Sequence, residues 1–301
     1  MKKRGKRRGK FIFFLLLSIF ILLALILILP RTVLIRGNVA LIRINGVITS
    51  SEGFSFTGQA SSEKIVRALE GAEEDPTIEA ILLEINSPGG SAVASKEIVD
   101  AVKRCQKQKP VYALIREIGA SGAYWIASAA DKIIANELSI VGSVGVTASY
   151  LEFAGLLKRY NITYRQLTSA KFKEAGQSVK ELTQEEKDYL LSKINLIHQI
   201  FLQDVVENRK LSEQVKEEIS QGKFFLGKEA LDLGLIDAIG DFKTAEQLLK
   251  TELGVKEISF KEQDERSGVL SELFGVLSEQ FFNLGYGIGT ALLQNQFRIQ
   301  T

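Results

Sequence analysis

The sequence predicts an α/β domain built on a largely parallel sheet. Short apolar runs rich in Ile, Leu and Val alternate along the chain with longer amphipathic stretches. Glycine- or serine-containing turns separate most of the runs from the helical stretch that follows. The chain of 301 residues, 46% of them hydrophobic, is long enough for one large core or two smaller ones. Alternation of this kind is typical of parallel sheets whose strands are connected by helices.

Three strands and two helices are predicted in the first part of the domain. Val39–Ile48 is strand-like, with a turn at its Asn-Gly pair, and Ser61–Ala72 is a helix that begins at a serine cap. Ile78–Ile85 is a continuous apolar strand, as expected for a strand buried on both faces. A tight SPGG turn then leads into the helix Ser91–Gln106, and Pro110–Ile115 is the third strand.

The second part of the domain continues the alternation. Lys132–Ala135 is predicted to be a strand, and it precedes a glycine turn in the segment ending at 145. Ile162–Leu167 is predicted to be a further strand. Residues 182–208 read as one long helix, because a TxxE capping box precedes an apolar stripe. Gly227–Gly240 is predicted to hold a short helix, a glycine cap and a closing strand.

The amino terminus is predicted to be a membrane anchor. Residues 1–10 are a basic tip with seven Lys or Arg, and residues 11–30 are apolar except for Ser18 and end in a proline. As a helix, the 19 apolar-rich positions before that proline span about 29 Å, which matches a bilayer core. A cleavable signal peptide is the alternative, but the run is long for one and lacks a small-x-small cleavage site. The basic tip then places residues 31–262 outside the cytoplasmic membrane as one protease domain.

Composition excludes several kinds of partner. Without the basic tip, the chain has 31 basic and 36 acidic side chains, and this acidic balance argues against nucleic acid as a partner. The single cysteine, Cys105, excludes an intrachain disulfide and a cysteine-rich metal site, and we expect neither a metal nor a cofactor.

Residues 263–301 form an apolar segment. A surface helix, an oligomer contact and a disordered tail all remain open for it.

Ser121 lies in the small-residue turn GASGA, directly before an apolar helical stretch. One interpretation is helix capping, which is the commoner role of a serine in such a position. The other is a nucleophile, because small neighbours admit a substrate carbonyl and a helix N-terminus stabilises negative charge. The turn alone does not decide between them.

Other residues bear on this choice. The NSPGG turn at 86–90 has the backbone N–H groups of an oxyanion hole, or it is an ordinary strand-to-helix turn. A nucleophilic serine also needs a base. Lys171 and Lys173 lie in the polar stretch SAKFKEAG, although most lysines are simply solvated. His198, the only histidine, lies beside the apolar stripe of the long helix, where a structural role is the usual one.

Three segments together resemble the signal peptide peptidase A family of serine–lysine proteases. They are EINSPGGSAVAS, GASGAYWIASAADKIIANELSIVGSVGV and SAKFKEAG, and the resemblance covers residues 38–245. It implies a fold related to crotonase and to the caseinolytic protease Clp. The resemblance assigns these roles: nucleophile Ser121, general base Lys173, lysine-orienting residue Ser143, and oxyanion donors Gly89 or Gly90 with Gly122.

The resemblance also implies a function. We expect a membrane-anchored serine endopeptidase that degrades remnant signal peptides and similar apolar peptides, without a cofactor, as a ring-like homo-oligomer such as an octamer. A related membrane protease acting on stomatin-like proteins and a non-catalytic crotonase-fold scaffold are the alternatives. An acyl-CoA enzyme would share the fold without needing the serine–lysine pair. A Ser-His-Asp hydrolase would have to use His198.

Overall fold

The computed structural model describes residues 39–51 and 59–263. The basic tip (1–10), the anchor (11–30) and the C-terminal segment from 264 onward lie outside the described residues, so these predictions stay predictions. Within the described ranges, no helix combines the length and apolar character that a bilayer span requires.

Strands and helices alternate through most of the described chain, and the strands are short. The strands are β1 (Val39–Asn45), β2 (Val47–Thr49), β3 (Gln59–Ser61), β4 (Ala80–Ser87), β5 (Val111–Ala120), β6 (Lys132–Ala135), β7 (Ile140–Gly142), β8 (Phe224–Leu226), β9 (Ala238–Ile239) and β10 (Phe260–Glu262). The helices are α1 (Ser62–Glu74), α2 (Ala92–Cys105), α3 (Gly122–Ser128), α4 (Ala154–Arg159), α5 (Gln184–Arg209), α6 (Glu213–Ile219), α7 (Gly227–Asp232) and α8 (Phe242–Leu253).

The main sheet is almost entirely parallel. Its strand order is β10-β1-β4-β5-β6-β9, and every neighbouring pair along that path is parallel. The far end of β5 leaves β6 and pairs instead with β7, which is antiparallel to β8. Strands β2 and β3 form a separate parallel pair. The predicted fold class, α/β with a largely parallel sheet, is therefore confirmed.

Both faces of the sheet are covered. In β4, Ile81 and Leu83 belong to a large core that also contains apolar residues of α1, α2, α3 and the end of α5. Leu82 points to the other face, where it joins a smaller core with Ala245 and Leu249 of α8. Burying a side chain of this size stabilises the fold by about 1.5–3 kcal/mol. The continuous apolar run of β4 thus reflects burial on both faces.

Three loops meet at the carboxyl edge of the sheet because three parallel strands end there. Strand β4 leads through a glycine turn into α2, and β5 leads directly into α3. Pairing of Ser87 with Gly119 and of Ala120 with Gly142 sets the ends of β4, β5 and β7 side by side. In open α/β sheets this edge is where ligands bind.

The predicted helices and strands agree with the structure with one exception, although the serine cap predicted for the first helix is wrong: Ser61 occupies the N-cap position of α1, but its side chain makes no capping hydrogen bond. Thr183 and Glu186 form the capping box predicted at the start of the long helix. The strand predicted at Ile162–Leu167 is wrong, because the segment has no regular structure. Its side chains Ile162 and Leu167 are 57% and 100% exposed, and within the described ranges no strand pairs with it. An apolar, β-branched run does not become a strand without a neighbouring edge.

Candidate active site

Ser121 has the backbone geometry of a nucleophile elbow. It lies between β5 and α3 with φ 53° and ψ −127°, a left-handed conformation that a residue with a Cβ rarely adopts. The same strand–serine–helix turn presents the nucleophile in α/β hydrolases. Such strain persists only where the surrounding structure holds it, and it is concentrated at functional sites.

Backbone contacts hold this strained conformation. The Ser121 N–H donates to the Gly142 carbonyl at 2.8 Å, and the Ser121 carbonyl accepts from the Trp125 N–H at 3.0 Å. Gly122 is required beside it, because a Cβ there would lie 2.2 Å from the Ser95 Oγ. Although Ser121 occupies the N-cap position of α3, its side chain makes no capping hydrogen bond. The capping interpretation is therefore wrong, and the hydroxyl is left for other chemistry.

The glycine turn after β4 packs directly on the serine turn. Gly89 has φ +97°, and a Cβ there would lie 2.8 Å from both the Gly122 nitrogen and the Ser121 Cβ. The Gly89 N–H itself donates to the Ser87 Oγ at 3.1 Å. In the described chain neither the Gly90 N–H nor the Gly122 N–H has a hydrogen-bond partner. These two groups are available to bind an oxyanion.

Ser143 lies next to Ser121 across the sheet edge. Ala120 at the end of β5 pairs with Gly142 at the end of β7, and Ser121 and Ser143 are the residues that come directly after this pair. Ser143 is also left-handed, with φ 54°, and its N–H donates to the Lys223 carbonyl at 2.8 Å. The sequence motif VGSVG therefore delivers a second hydroxyl beside the first.

A cavity of about 780 Å³ opens over this edge. Its lining combines the three loops with the middle of α5 and the α6–β8 loop, and most of its polar groups are hydroxyls and backbone amides. The lining residues are Gly90, Ser91, Ala92, Ser121, Gly122, Trp125, Ser143, Gly145, Val146, Thr147, His198, Phe201, Ser220, Gln221 and Gly222. No motif in the sequence predicts that residues 220–222 line this cavity.

Lys173 does not line this cavity. Its side chain is exposed, and its loop is attached to the beginning of α5, where the neighbouring Phe172 stacks on Tyr189 with ring centroids 4.7 Å apart. Helix α3, which follows Ser121, contacts the same helix further along, where Trp125 stacks on Phe201 with ring centroids 4.6 Å apart. Twelve residues of helix separate these two contacts, which corresponds to about 18 Å. Ser121 and Lys173 of one chain are therefore held at different levels along α5.

His198 lines the cavity, but it does not complete a triad. Its Nε2 is buried without a partner, and no hydrogen bond within the described chain joins its ring to a carboxylate. A serine–histidine hydrolase needs such a third group to orient the base. In the part of the chain that the structure describes, there is also no group of His, Cys, Asp and Glu side chains that could hold a metal ion.

A parallel α/β sheet that presents a strained serine beside unengaged backbone N–H groups has the architecture of a hydrolase. The chain belongs to peptidase family S49, whose sequence model matches residues 103–256. The family resemblance noted in the sequence is thereby confirmed, and the protein is a protease by its family.

Several known proteins are similar to the chain. It is 35% identical to a protein of Methanocaldococcus jannaschii named as a candidate protease, over 75% of this chain and 71% of that one. Protease 4 of Haemophilus influenzae is 32% identical over 65% of this chain and 32% of its own length. The chloroplastic serine protease SPPA of Arabidopsis thaliana is 29% identical over 71% of this chain and 34% of its own length. The chain thus spans about a third of the latter two relatives.

Proposed function

We propose that the protein is a membrane-anchored serine endopeptidase that cleaves apolar peptides, remnant signal peptides above all, with Ser121 as nucleophile and Lys173 as base. The observation that carries the proposal is the strained Ser121, whose hydroxyl makes no cap and whose neighbours Gly90 and Gly122 have free N–H groups. Holding a serine in this backbone conformation costs free energy of folding, so a functional reason for it is expected.

The proposed chemistry is acyl transfer through the serine. The Ser121 Oγ attacks the peptide carbonyl carbon while its proton passes to the neutral lysine amine. The N–H groups of Gly90 and Gly122 stabilise the resulting oxyanion. Collapse breaks the C–N bond, and the leaving amine takes the proton from the lysine. Water, deprotonated by the same lysine, then hydrolyses the acyl-enzyme and restores the serine.

We infer that the lysine reaches the serine from a second copy of the chain. Within one copy, the helix residues that contact Trp125 and Phe172, four residues and one residue away from Ser121 and Lys173, are about 18 Å apart along α5. Ser143, beside Ser121, then receives the incoming amine and orients it. Burial between copies would also make the lysine neutral, because burial disfavours the charged amine.

The segment around 150–167 supports such an assembly. Helix α4 has no buried residue, and the segment exposes many large apolar side chains. Large apolar side chains exposed in such number within one stretch are typical of a segment that packs against a partner. The exposed residues are Tyr150, Leu151, Phe153, Leu156, Tyr160, Ile162, Tyr164 and Leu167. We propose that this surface packs against a neighbouring copy in a ring-like homo-oligomer.

The substrate class follows from the predicted anchor and from the cavity. An anchored domain whose site lies outside the cytoplasm meets apolar peptides left in the membrane after secretion. An extended peptide can lie along the carboxyl edge of the sheet and place apolar side chains against Trp125 and Phe201.

A mixing experiment tests both the dyad and its origin. Ser121→Ala and Lys173→Ala should each abolish cleavage of synthetic signal peptides, measured by mass spectrometry of the products. Mixing the two inactive proteins under conditions that exchange subunits should restore part of the activity, because some interfaces pair an intact serine with an intact lysine.

Lys171→Ala is the matched control, since Lys171 lies two residues away and contacts Glu185 on α5. It should retain activity. An active Lys173→Ala enzyme together with an inactive Lys171→Ala enzyme would overturn the assignment of the base. If mixtures that have exchanged subunits regain no activity, the proposal that Lys173 reaches Ser121 from a second copy is wrong.

A further inference from the structure

Trp125, the single tryptophan of the chain, is held from behind the cavity by a carboxylate. Its Nε1–H donates to the Asp204 Oδ2 at 3.0 Å, and its ring stacks on Phe201 with an interplanar angle of 20°. Trp125 and Phe201 line the cavity, whereas Asp204 does not. The indole therefore presents a ring surface to the cavity and its polar N–H to α5.

Asp204 connects three helices. It projects from α5, accepts from Trp125 in α3, and lies 3.5 Å from the Lys96 Nζ and 3.7 Å from the Lys103 Nζ, both in α2. Helix α2 begins directly after the Gly89–Gly90 turn, and α3 begins directly after the nucleophile. One carboxylate is thus shared by the two helices whose N-termini form the site. The two lysines place positive charge beside this partly buried carboxylate.

We propose that Asp204 is a positioning residue that fixes the indole of Trp125 as the wall of the substrate cavity and so sets which apolar side chain a peptide can place beside Ser121. The proposal rests on the proposed peptidase function. An almost fully buried indole N–H needs an acceptor, and an unpaired one carries a large desolvation penalty. Asp204 supplies that acceptor in one orientation of the ring only. Without that acceptor the buried N–H is left unpaired, which favours turning the polar edge of the ring away from α5.

The first test uses the fluorescence of Trp125, which needs no catalytic activity. Asp204→Asn keeps an acceptor oxygen in the same place, so the emission maximum and acrylamide quenching should match the wild type. Asp204→Leu removes the acceptor, so emission should move to longer wavelength and quenching should increase. Unchanged emission in the Leu variant, or an equal change in the Asn variant, would overturn the positioning role.

The second test uses two peptides that differ only in carrying Ala or Phe immediately before the scissile bond. Asp204→Leu should change the ratio of their kcat/KM values by about tenfold, the size expected when a pocket wall moves by a methylene or more. Asp204→Asn should leave the ratio near that of the wild type. Glu207→Gln, a change on the same helix, is the matched control and should behave as the wild type, because the exposed Glu207 carboxylate accepts a hydrogen bond from Gln203 and not from Trp125.

A Trp125→Phe background separates positioning from folding. Phenylalanine can stack on Phe201 but has no N–H, so adding Asp204→Leu to it should not change the peptide ratio further. A further change of similar size in that background would overturn the proposal. If neither peptide is cleaved by the wild type, the proposed function has failed, and the fluorescence test still decides the role of Asp204.

Discussion

Replacing Gly89 by alanine tests how closely the two loops of the site must approach each other. The added Cβ would lie 2.8 Å from the Gly122 nitrogen, 2.8 Å from the Ser121 Cβ and 2.9 Å from the Ala120 carbonyl oxygen. Two of these are backbone atoms and the third is the first side-chain atom of Ser121. None can move without displacing Ser121 or the Gly122 N–H, the candidate oxyanion donor.

Two effects add to the expected loss. Alanine at φ +97° costs about 1–2 kcal/mol in backbone strain, which lowers the stability of the fold. Misplacing one oxyanion donor costs about 2.7–4 kcal/mol of transition-state stabilisation, or about 10²–10³ in kcat. We therefore expect the variant to fold with reduced stability and to lose most of its turnover number. KM should change much less, because the oxyanion forms only in the transition state.

The assay measures kcat and KM on a signal peptide together with the free energy of unfolding in urea. Gly71→Ala is the control: Gly71 is an exposed glycine within α1, and its added Cβ has no atom within 4 Å. It should be fully active and more stable by about 0.5–1 kcal/mol, the usual gain for this change within a helix. A Gly89→Ala enzyme that keeps kcat within about tenfold of the wild type would refute the proposed oxyanion hole.

Two further predictions follow from groups outside the cavity. Burial raises the pKa of the Cys105 thiol to about 11, so iodoacetamide at pH 8 should leave the native protein unmodified and should label one thiol after denaturation, as measured by intact mass. Hydrogen bonds from Lys261 and Thr77 hold the pKa of Asp75 well below its usual value, so its stabilising contribution is present above about pH 4 and is lost as pH falls further. Asp75→Asn should therefore show a smaller drop in urea midpoint between pH 7 and pH 3 than the wild type.

The sequence predicted Ser121 as the candidate nucleophile but not its backbone conformation. Small residues around Ser121 predicted an accessible hydroxyl at a strand-to-helix turn. The left-handed backbone, however, depends on a hydrogen bond to Gly142, which lies in a different strand. Local propensity does not report pairing between strands that are distant in sequence. For the same reason, the sequence does not predict that the Gly89 N–H donates a hydrogen bond to Ser87 while the Gly90 N–H stays free.

The long helix illustrates a second limit. Its capping box and apolar stripe predicted helix α5 within two residues at each end. The residues of this stripe are not equally buried. Phe201 and Val205 are buried, whereas Leu190 and Ile194 are only half-buried. An amphipathic pattern indicates a face but not its partner. The half-covered part lies where the Lys173 loop and, in our proposal, a second copy meet.

Helix α5 also accounts for the separation, within one chain, of the candidate nucleophile Ser121 and the exposed Lys173. Its C-terminal half packs on Trp125, which follows the candidate nucleophile in α3, and Tyr189 near its beginning stacks on Phe172 of the Lys173 loop. A rigid helix of 26 residues cannot bring its two ends together, because bending it that far would break its backbone hydrogen bonds. If Lys173 is the base, our proposal is that a second copy supplies it. Specific activity should then fall on dilution in parallel with dissociation of the oligomer, and a fully active monomer would show that the base lies elsewhere.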